Sequence, residues 1–431
     1  MRDLAIIGFV FAMIPFMIKR PWIGVMMWAW ISLMNPHAWG WGLANQFRVA
    51  LVAGVATLIG LLVTRERVKL PFNSTIVLLV LLPLWMTFTL LFAFRFEAAL
   101  GRWEDVMKMY LFVLVTASVL HTRKHIDILL WVIVLSVGFY GVKGGIFTIL
   151  TGGQFRVWGP PGKSFITDNN SISVALIMII PLAHYLAMHT ERRVVKYGLY
   201  ALIGLSCFAI LGTHSRGAFL AVMVMAGFLW LKSRQKLLLG LFVAGLLPFA
   251  ISFMPENWVQ RMETVKTYEE DTSAMGRINS WQTAINITKD RPIVGGGFEF
   301  YSKEVFARYA PNPEAVHSAH SIYFQMLGEH GYVGLLLFLA VGINGWMLSR
   351  RLIAHASGKP EISWAADLAR AIQVSLVGFA SGGAFVNIGY WELQYYEVVL
   401  LMIAWSLVRS TAPETSTTAA PGVASPGGVR A

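Results

Sequence analysis

The sequence holds one cysteine in 431 residues, and only 13% of its residues are charged. A lone thiol, Cys207, cannot close an intramolecular disulfide. It also excludes thiolate zinc sites and cysteine-ligated iron–sulfur clusters. Cys207 lies inside an apolar run and reads as inert packing. The scarcity of charge excludes a disordered chain and argues against a soluble globule, since an average soluble domain is roughly 25% charged. Apolar residues stand in its place: 56% are hydrophobic, and mean hydropathy is +0.60. That balance fits an all-α, polytopic integral membrane protein whose apolar skin faces lipid.

Apolar stretches recur at 4–18, 22–34, 49–63, 75–94, 107–120, 128–150, 172–188, 197–211, 218–231, 237–254, 322–348, 365–385 and 395–407. A span needs about 20 residues and the first two runs are short, so about 12 transmembrane helices are expected, or 13 if both cross. No small-residue cleavage site follows the first run, which reads as an anchor. Lys19/Arg20, Arg65/Arg67/Lys69, Arg123/Lys124, Arg192/Arg193/Lys196, Lys232/Arg234/Lys236 and Arg350/Arg351/Lys359 fall in alternate connections. The positive-inside rule makes that side cytoplasmic. Much of the net charge of +12 therefore follows from topology, and nucleic acid is not an expected partner. The expected organisation is a transmembrane bundle at 1–254, a periplasmic loop domain at 255–319, C-terminal transmembrane helices at 320–409 and a disordered cytoplasmic tail at 410–431.

The loop 255–319 is mildly acidic, with nine acids against seven bases. Long loops without structure are uncommon unless functional. Residues 273–289 can form an amphipathic helix with Ile278, Trp281 and Ile285 on one face. Arg277, four residues before Trp281, shares that face and would aim inward. The run Gly295-Gly296-Gly297 is not a phosphate loop, because no Lys-Ser/Thr follows, and it reads as a flexible turn.

Three outer-side features carry polar chemistry. His214-Ser215-Arg216-Gly217 is a tight turn in which Ser215 can cap a helix that Arg216 opens. A helix start plus an arginine suits an anion, although an interfacial arginine snorkelling to headgroups explains it too. Gly159-Pro160-Pro161-Gly162-Lys163, followed by Asp168-Asn169-Asn170-Ser171, offers a second helix start, which a plain turn and cap explain equally well. His317-Ser318-Ala319-His320-Ser321-Ile322-Tyr323 leads to Glu329-His330-Gly331. A histidine at a helix start is disfavoured as imidazolium, so His320 is expected to be neutral and able to take a proton. His317 and His320 lack a carboxylate as third ligand, so no metal site and no cofactor are expected. Glu329, nine residues past His320, is expected to pair with a neighbour and orient the bundle.

Taken together, these features resemble the O-antigen ligase superfamily, which shares a domain with O-antigen polymerases and protein O-oligosaccharyltransferases. The resemblance rests on Ser215-Arg216-Gly217, on Gly276-Arg277…Trp281…Pro292…Gly295 in a long outer loop, and on His320-Ser321-Ile322-Tyr323…Glu329-His330-Gly331. Asn169/Asn170 before a span also match. The N-terminal third resembles the variant known as exosortase-associated O-glycosylation ligases.

The resemblance implies a metal-independent, multi-span inverting glycosyltransferase in the bacterial inner membrane, with its active site facing the periplasm. Its donor would be a polysaccharide on undecaprenyl diphosphate, its acceptor a lipid A–core sugar, and its other partners membrane lipids. The family's essential arginines and histidine carry over to Arg216, Arg277 and His320, with Arg291 as the alternative second arginine. Arg291, Lys163, Asn169, Asn170, Ser215, Tyr323 and His317 are candidate substrate-binding residues. His320 would take the acceptor's proton, and the arginines would hold the diphosphate. The stretch 35–46 has no acid, which argues against metal-dependent relatives of this class. No outer acid pair supports glycoside hydrolysis. A polymerase or a protein O-oligosaccharyltransferase is the nearest rival. A transporter would call for inverted repeats and midplane charges, and the sequence shows neither convincingly.

Overall fold

A computed structural model describes residues 2–40, 47–66, 68–232, 236, 240, 245, 254–256, 258 and 272–410. Among these residues the chain is helical, without strands. The helices are α1 (Arg2–Lys19), α2 (Pro21–Met34), α3 (Val49–Val63), α4 (Ser74–Leu90), α5 (Phe96–Val119), α6 (Arg123–Leu150), α7 (Asn169–Met188), α8 (Arg193–Gly212) and α9 (Arg216–Lys232). They continue with α10 (Thr272–Asp290), α11 (Lys303–Tyr309), α12 (Ile322–Ala356), α13 (Ser363–Gly383) and α14 (Leu393–Ser410). Each apolar run read from the sequence coincides with one of these, except 237–254, which falls almost wholly outside the described residues. The tail from 411 and most of 257–271 also fall outside them.

Local sequence sets the boundaries. Asn73, Thr122, Asp168, Ser215 and Ser302 cap α4, α6, α7, α9 and α11 by accepting backbone N–H bonds. Four helices, α6, α7, α8 and α12, are long and apolar enough to cross a membrane, and α2, α3 and α4 are shorter apolar helices. The protein is an integral membrane protein.

The last helix lies at the centre. Every residue from Leu393 to Ala404 is buried, so α14 is enclosed by the rest of the bundle. Such a helix is mostly apolar all round, with Gln394 and Glu397 as buried polar exceptions. The outer skin stays apolar: Leu62, Leu150, Leu336 and Phe11 are exposed, as a lipid-facing surface demands. Cys207 belongs to this skin, exposed on α8.

The bundle has two chemically distinct ends. At one, Lys69 N–H bonds to the Ser118 carbonyl, Arg123 lies over Trp364 at 5.0 Å, and His189 meets Asp367 at 3.4 Å. Arg123, His189 and Lys69, from three of the basic connections of the sequence and their neighbours, lie here. At the other end, Val157 N–H bonds to Gly212, Asn169 Nδ2 to Thr213, and Ser321 N–H to Asn387 Oδ1.

The helix α12 breaks at Gly331, where φ is +67°. The triple glycine fills the break: Gly296 and Gly297 donate N–H bonds to the carbonyls of Gly328 and Glu329 at 2.7 and 2.9 Å, and Tyr332 donates to Pro292 at 2.9 Å. The run is therefore a docked turn and not the flexible one expected, because backbone left unpaired by the kink finds its partners there. A Cβ on Gly331 would strike the Ile293 carbonyl. Gly331→Ala should cost at least the ~1–3 kcal/mol of a left-handed non-glycine residue. Thermal unfolding in detergent should show a clear loss of Tm, whereas Gly342→Ala, on the same helix with open space around it, should be neutral or slightly stabilising.

Candidate active site

The helices α7, α9 and α12 all begin at the end away from the basic connections. Asp168 caps α7 by accepting from Asn170 and Ser171 N–H at 2.9 and 3.0 Å, and its second oxygen accepts from the Ser171 hydroxyl at 2.5 Å. Ser215 caps α9, accepting from Ala218 N–H at 3.2 Å, and Arg216 is that helix's first residue, as the sequence predicts. The two starts are tied by Asn169 Nδ2, which donates to the Thr213 carbonyl at 2.8 Å. His320 and Ser321 precede α12, with His320 held at φ +43°. Segment 383–387, leaving α13, separates the starts of α9 and α12: Gly217 lies against Phe385, Ile322 lies against Gly383, and Asn387 holds the Ser321 N–H.

The loop helix α10 covers this end. The Trp281 indole donates to the Ala319 carbonyl at 2.7 Å, and the Ser280 hydroxyl donates to the His317 carbonyl at 2.7 Å. Asn279 pins the preceding strap by donating to the carbonyls of Asn312 and Ala315. The expected helix at 273–289 is thus present within one residue at each end. Its buried face is not the expected one. Gly276, Asn279, Ser280, Thr283, Ala284 and Ile287 face inward, while Ile278 is exposed. Small residues let α10 approach α12 closely. The hydroxyls of Ser280, Thr283 and Thr288 bond to carbonyls four residues back, which makes them tolerable inside. Gly276 leaves room for the His317 ring, whose Cδ2 would sit 2.7 Å from any Cβ there.

This arrangement brings Arg277, Asp168 and His317 within electrostatic reach of His320. His320 is held below its ordinary pKa of 6.5, chiefly because burial strips water from the charged ring. The Arg277 charge lowers it further, Asp168 raises it, and His317 lowers it. A neutral imidazole follows, as expected, with desolvation as its main cause. Among the described residues, no three His, Cys, Asp or Glu side chains converge as metal ligands do.

The other candidates are placed as follows. Arg216 is half-buried at the mouth of α9. Asn170 is half-buried beside its cap, and Ser215 is buried in its capping role. The Tyr323 hydroxyl donates to the Ala380 carbonyl at 2.8 Å. Lys163 is exposed, on a loop that touches Ala38 through Gly162. Arg291 is not brought to His320. It sits at the far end of α10, donating to the Phe92 carbonyl at 2.6 Å and lying over the Phe94 ring at 4.5 Å. Fourteen residues of helix separate it from Arg277, roughly 21 Å.

Glu329 is paired as expected, in a second polar cluster whose other members sequence reasoning did not name. The Tyr390 hydroxyl donates to Glu329 Oε2, and the Glu299 N–H donates to Oε1 at 3.3 Å. His330 Nε2 hydrogen-bonds the Tyr390 hydroxyl at 2.7 Å, and Nδ1 hydrogen-bonds the Thr89 hydroxyl at 2.7 Å. Glu329 and His330 are fully buried, so this chain ties α12 to α4 and to the connection before α14. Arg102 of α5 stands beside it, 3.5 Å from Glu299 and 4.6 Å over the Phe165 ring. Asn387 and Tyr390 were findable as polar groups inside an apolar C-terminal third.

The chain matches two family models. Residues 199–339 match the family described as O-antigen ligase, and residues 1–191 match a family of unknown function, DUF5935. No curated protein matches the chain. The segment similar to the O-antigen ligase family contains Arg216, Arg277 and His320. That match supports a glycosyltransferase-like membrane enzyme of O-antigen assembly, working with a lipid-linked glycan donor and a lipid acceptor.

Proposed function

We propose that the protein is an O-antigen ligase, which moves a polysaccharide from undecaprenyl diphosphate to a lipid A–core sugar hydroxyl at the periplasmic face of the inner membrane. The observation that carries this reading is a half-buried His320 within electrostatic reach of Arg277, at the end where α7, α9 and α12 all begin. His320 takes the proton of the acceptor hydroxyl as its oxygen bonds to the donor sugar C1. The bond from C1 to the diphosphate oxygen breaks, with inversion at C1. Arg216 and Arg277 hold the growing negative charge on undecaprenyl diphosphate, aided by the helix N-termini. Asn169, Asn170 and Ser215 fix the loop geometry, Tyr323 and His317 line the approach, and Lys163 meets the glycan from its exposed loop. Arg291 serves α10 and not the diphosphate.

A deletion strain tests the reading. Its lipopolysaccharide should consist of core without O-antigen, while lipid-linked polymer accumulates. Accumulation of single unpolymerised units would assign a polymerase instead, and loss of glycan from a protein acceptor would assign an O-oligosaccharyltransferase.

Two further outcomes follow from the same chemistry. In a Cys207→Ser background, Glu314→Cys should react with a membrane-impermeant maleimide from the periplasmic side, and Arg65→Cys only after the cytosol is opened. The reverse pattern would overturn the orientation. Transfer by the purified enzyme should persist in EDTA, since arginines supply the charge that a divalent ion would otherwise provide. Abolition by EDTA with recovery on adding metal would overturn that step.

A further inference from the structure

A cavity of about 320 Å³ lies at the basic end of the bundle, between α7, α9 and α13. Its walls are apolar: Ile180, Pro181 and Met188 from α7, Met225 and Leu229 from α9, and Ala371 and Val374 from α13. The volume is at the lower limit of ligand pockets, roughly 300–1,000 Å³, and suits one stretch of hydrocarbon better than a whole lipid. Its position separates it from His320. Arg216 opens α9 at one end of the bundle and Leu229 lies near the other, while α13 begins at Ser363, seven residues before Arg370.

The rim differs from the walls. Arg370, His184 and Asp367 border the cavity, and Met188, Leu229 and Arg370 are exposed there. Lys196 at the start of α8 lies within electrostatic reach of His184, whose ring faces Tyr200 at 6.1 Å. Asp367 offsets part of this charge, since it accepts from Arg370 at 2.7 Å and meets His189 at 3.4 Å. Arg192, Arg193 and Lys232 add positive charge at the neighbouring helix ends. An apolar slot with a cationic lip, at one end of a membrane bundle, matches a ligand with a hydrocarbon tail and an anionic head.

We propose that this cavity binds one anionic phospholipid, seating part of an acyl chain between α7, α9 and α13 with the phosphate at Arg370 and Lys196. Basic pockets between transmembrane helices select anionic headgroups in this way. Occupancy would brace α9 against α13, the two helices that carry Arg216 and the 383–387 connection at the opposite end. The site rests on the cavity and its charges alone and needs no assumption about the transfer reaction.

The test is native mass spectrometry of the full-length protein, delipidated in detergent and titrated with phosphatidylglycerol or phosphatidylcholine. The wild type should retain one phosphatidylglycerol under activation that strips phosphatidylcholine. Arg370→Gln, an exposed change that leaves the core intact, should weaken retention roughly fivefold, the effect of one cation near a charged headgroup. Ala371→Trp, which fills the slot, should abolish it, with circular dichroism reporting that the fold is kept. His320→Ala should retain the lipid as the wild type does. Equal retention of both lipids, or undiminished phosphatidylglycerol on a folded Ala371→Trp protein, would overturn the proposal.

Discussion

His320→Ala is expected to lower transfer about 10²–10⁴-fold, the usual cost of losing a general base. The fold should survive, because the ring packs in a loop ahead of α12 and the neighbouring ties run through backbone groups: Ala319 carbonyl to Trp281, and Ser321 N–H to Asn387. The pH profile carries more information than the loss itself. A histidine works as a base only when neutral, and His320 is held below its ordinary 6.5. The acid limb of kcat/KM should therefore lie below pH 6.5, and activity should be full at neutral pH. The two neighbours act with opposite sign. Removing the Arg277 charge by Arg277→Gln should move the limb of the residual activity to higher pH. Asp168→Asn should move it lower, because the carboxylate that favours imidazolium is gone while Asn still caps α7. Limbs that stay fixed in both variants would show that His320 is not the titrating base.

Much of this site was legible in the sequence. Ser215 and Arg216 were readable as a cap and a helix start because capping chemistry is local. The helix over 273–289 was readable because a polar segment with helical spacing stands out in an apolar chain. Its inward face was not, because close helix packing selects Gly276, Ser280 and Ala284 over the bulkier Ile278, and periodicity of large apolar residues is silent about that. The choice between Arg277 and Arg291 was also beyond spacing. It required knowing that Arg291 is engaged by the Phe92 carbonyl, across some two hundred residues of chain. The Glu329–Tyr390–His330–Thr89 chain lay hidden for the same reason: its members are dispersed over α4, α12 and the connection before α14. The centrality of α14 is not visible in hydropathy, since a buried helix and a lipid-facing one are both apolar; its signature is Glu397, an acid within an apolar run that must face the bundle interior.

Arg216→Lys should lose roughly 10²-fold or more in kcat/KM although it keeps the charge. Arg216 stands in the first turn of α9, where Ser215 accepts from the Ala218 N–H. A guanidinium there can present two parallel donors to a diphosphate, whereas an ammonium is a single point charge with a larger hydration shell. The leaving group gains negative charge as the C1–O bond breaks, so the deficit should appear in kcat more than in KM. Arg277→Ala should show a comparable loss together with the shifted pH limb, because this residue both meets the phosphate and bears on His320. Arg291→Ala should behave differently: nearly normal kcat, with a lower Tm from loss of its bond to Phe92. His317→Ala should be mild, since His317 is exposed and its tie to Ser280 runs through the backbone carbonyl. The measurement is steady-state transfer from a purified lipid-linked donor, alongside thermal unfolding of each variant. A folded Arg216→Lys enzyme with near-normal kcat would remove the guanidinium fork from the mechanism and leave α9 only its helix-start charge.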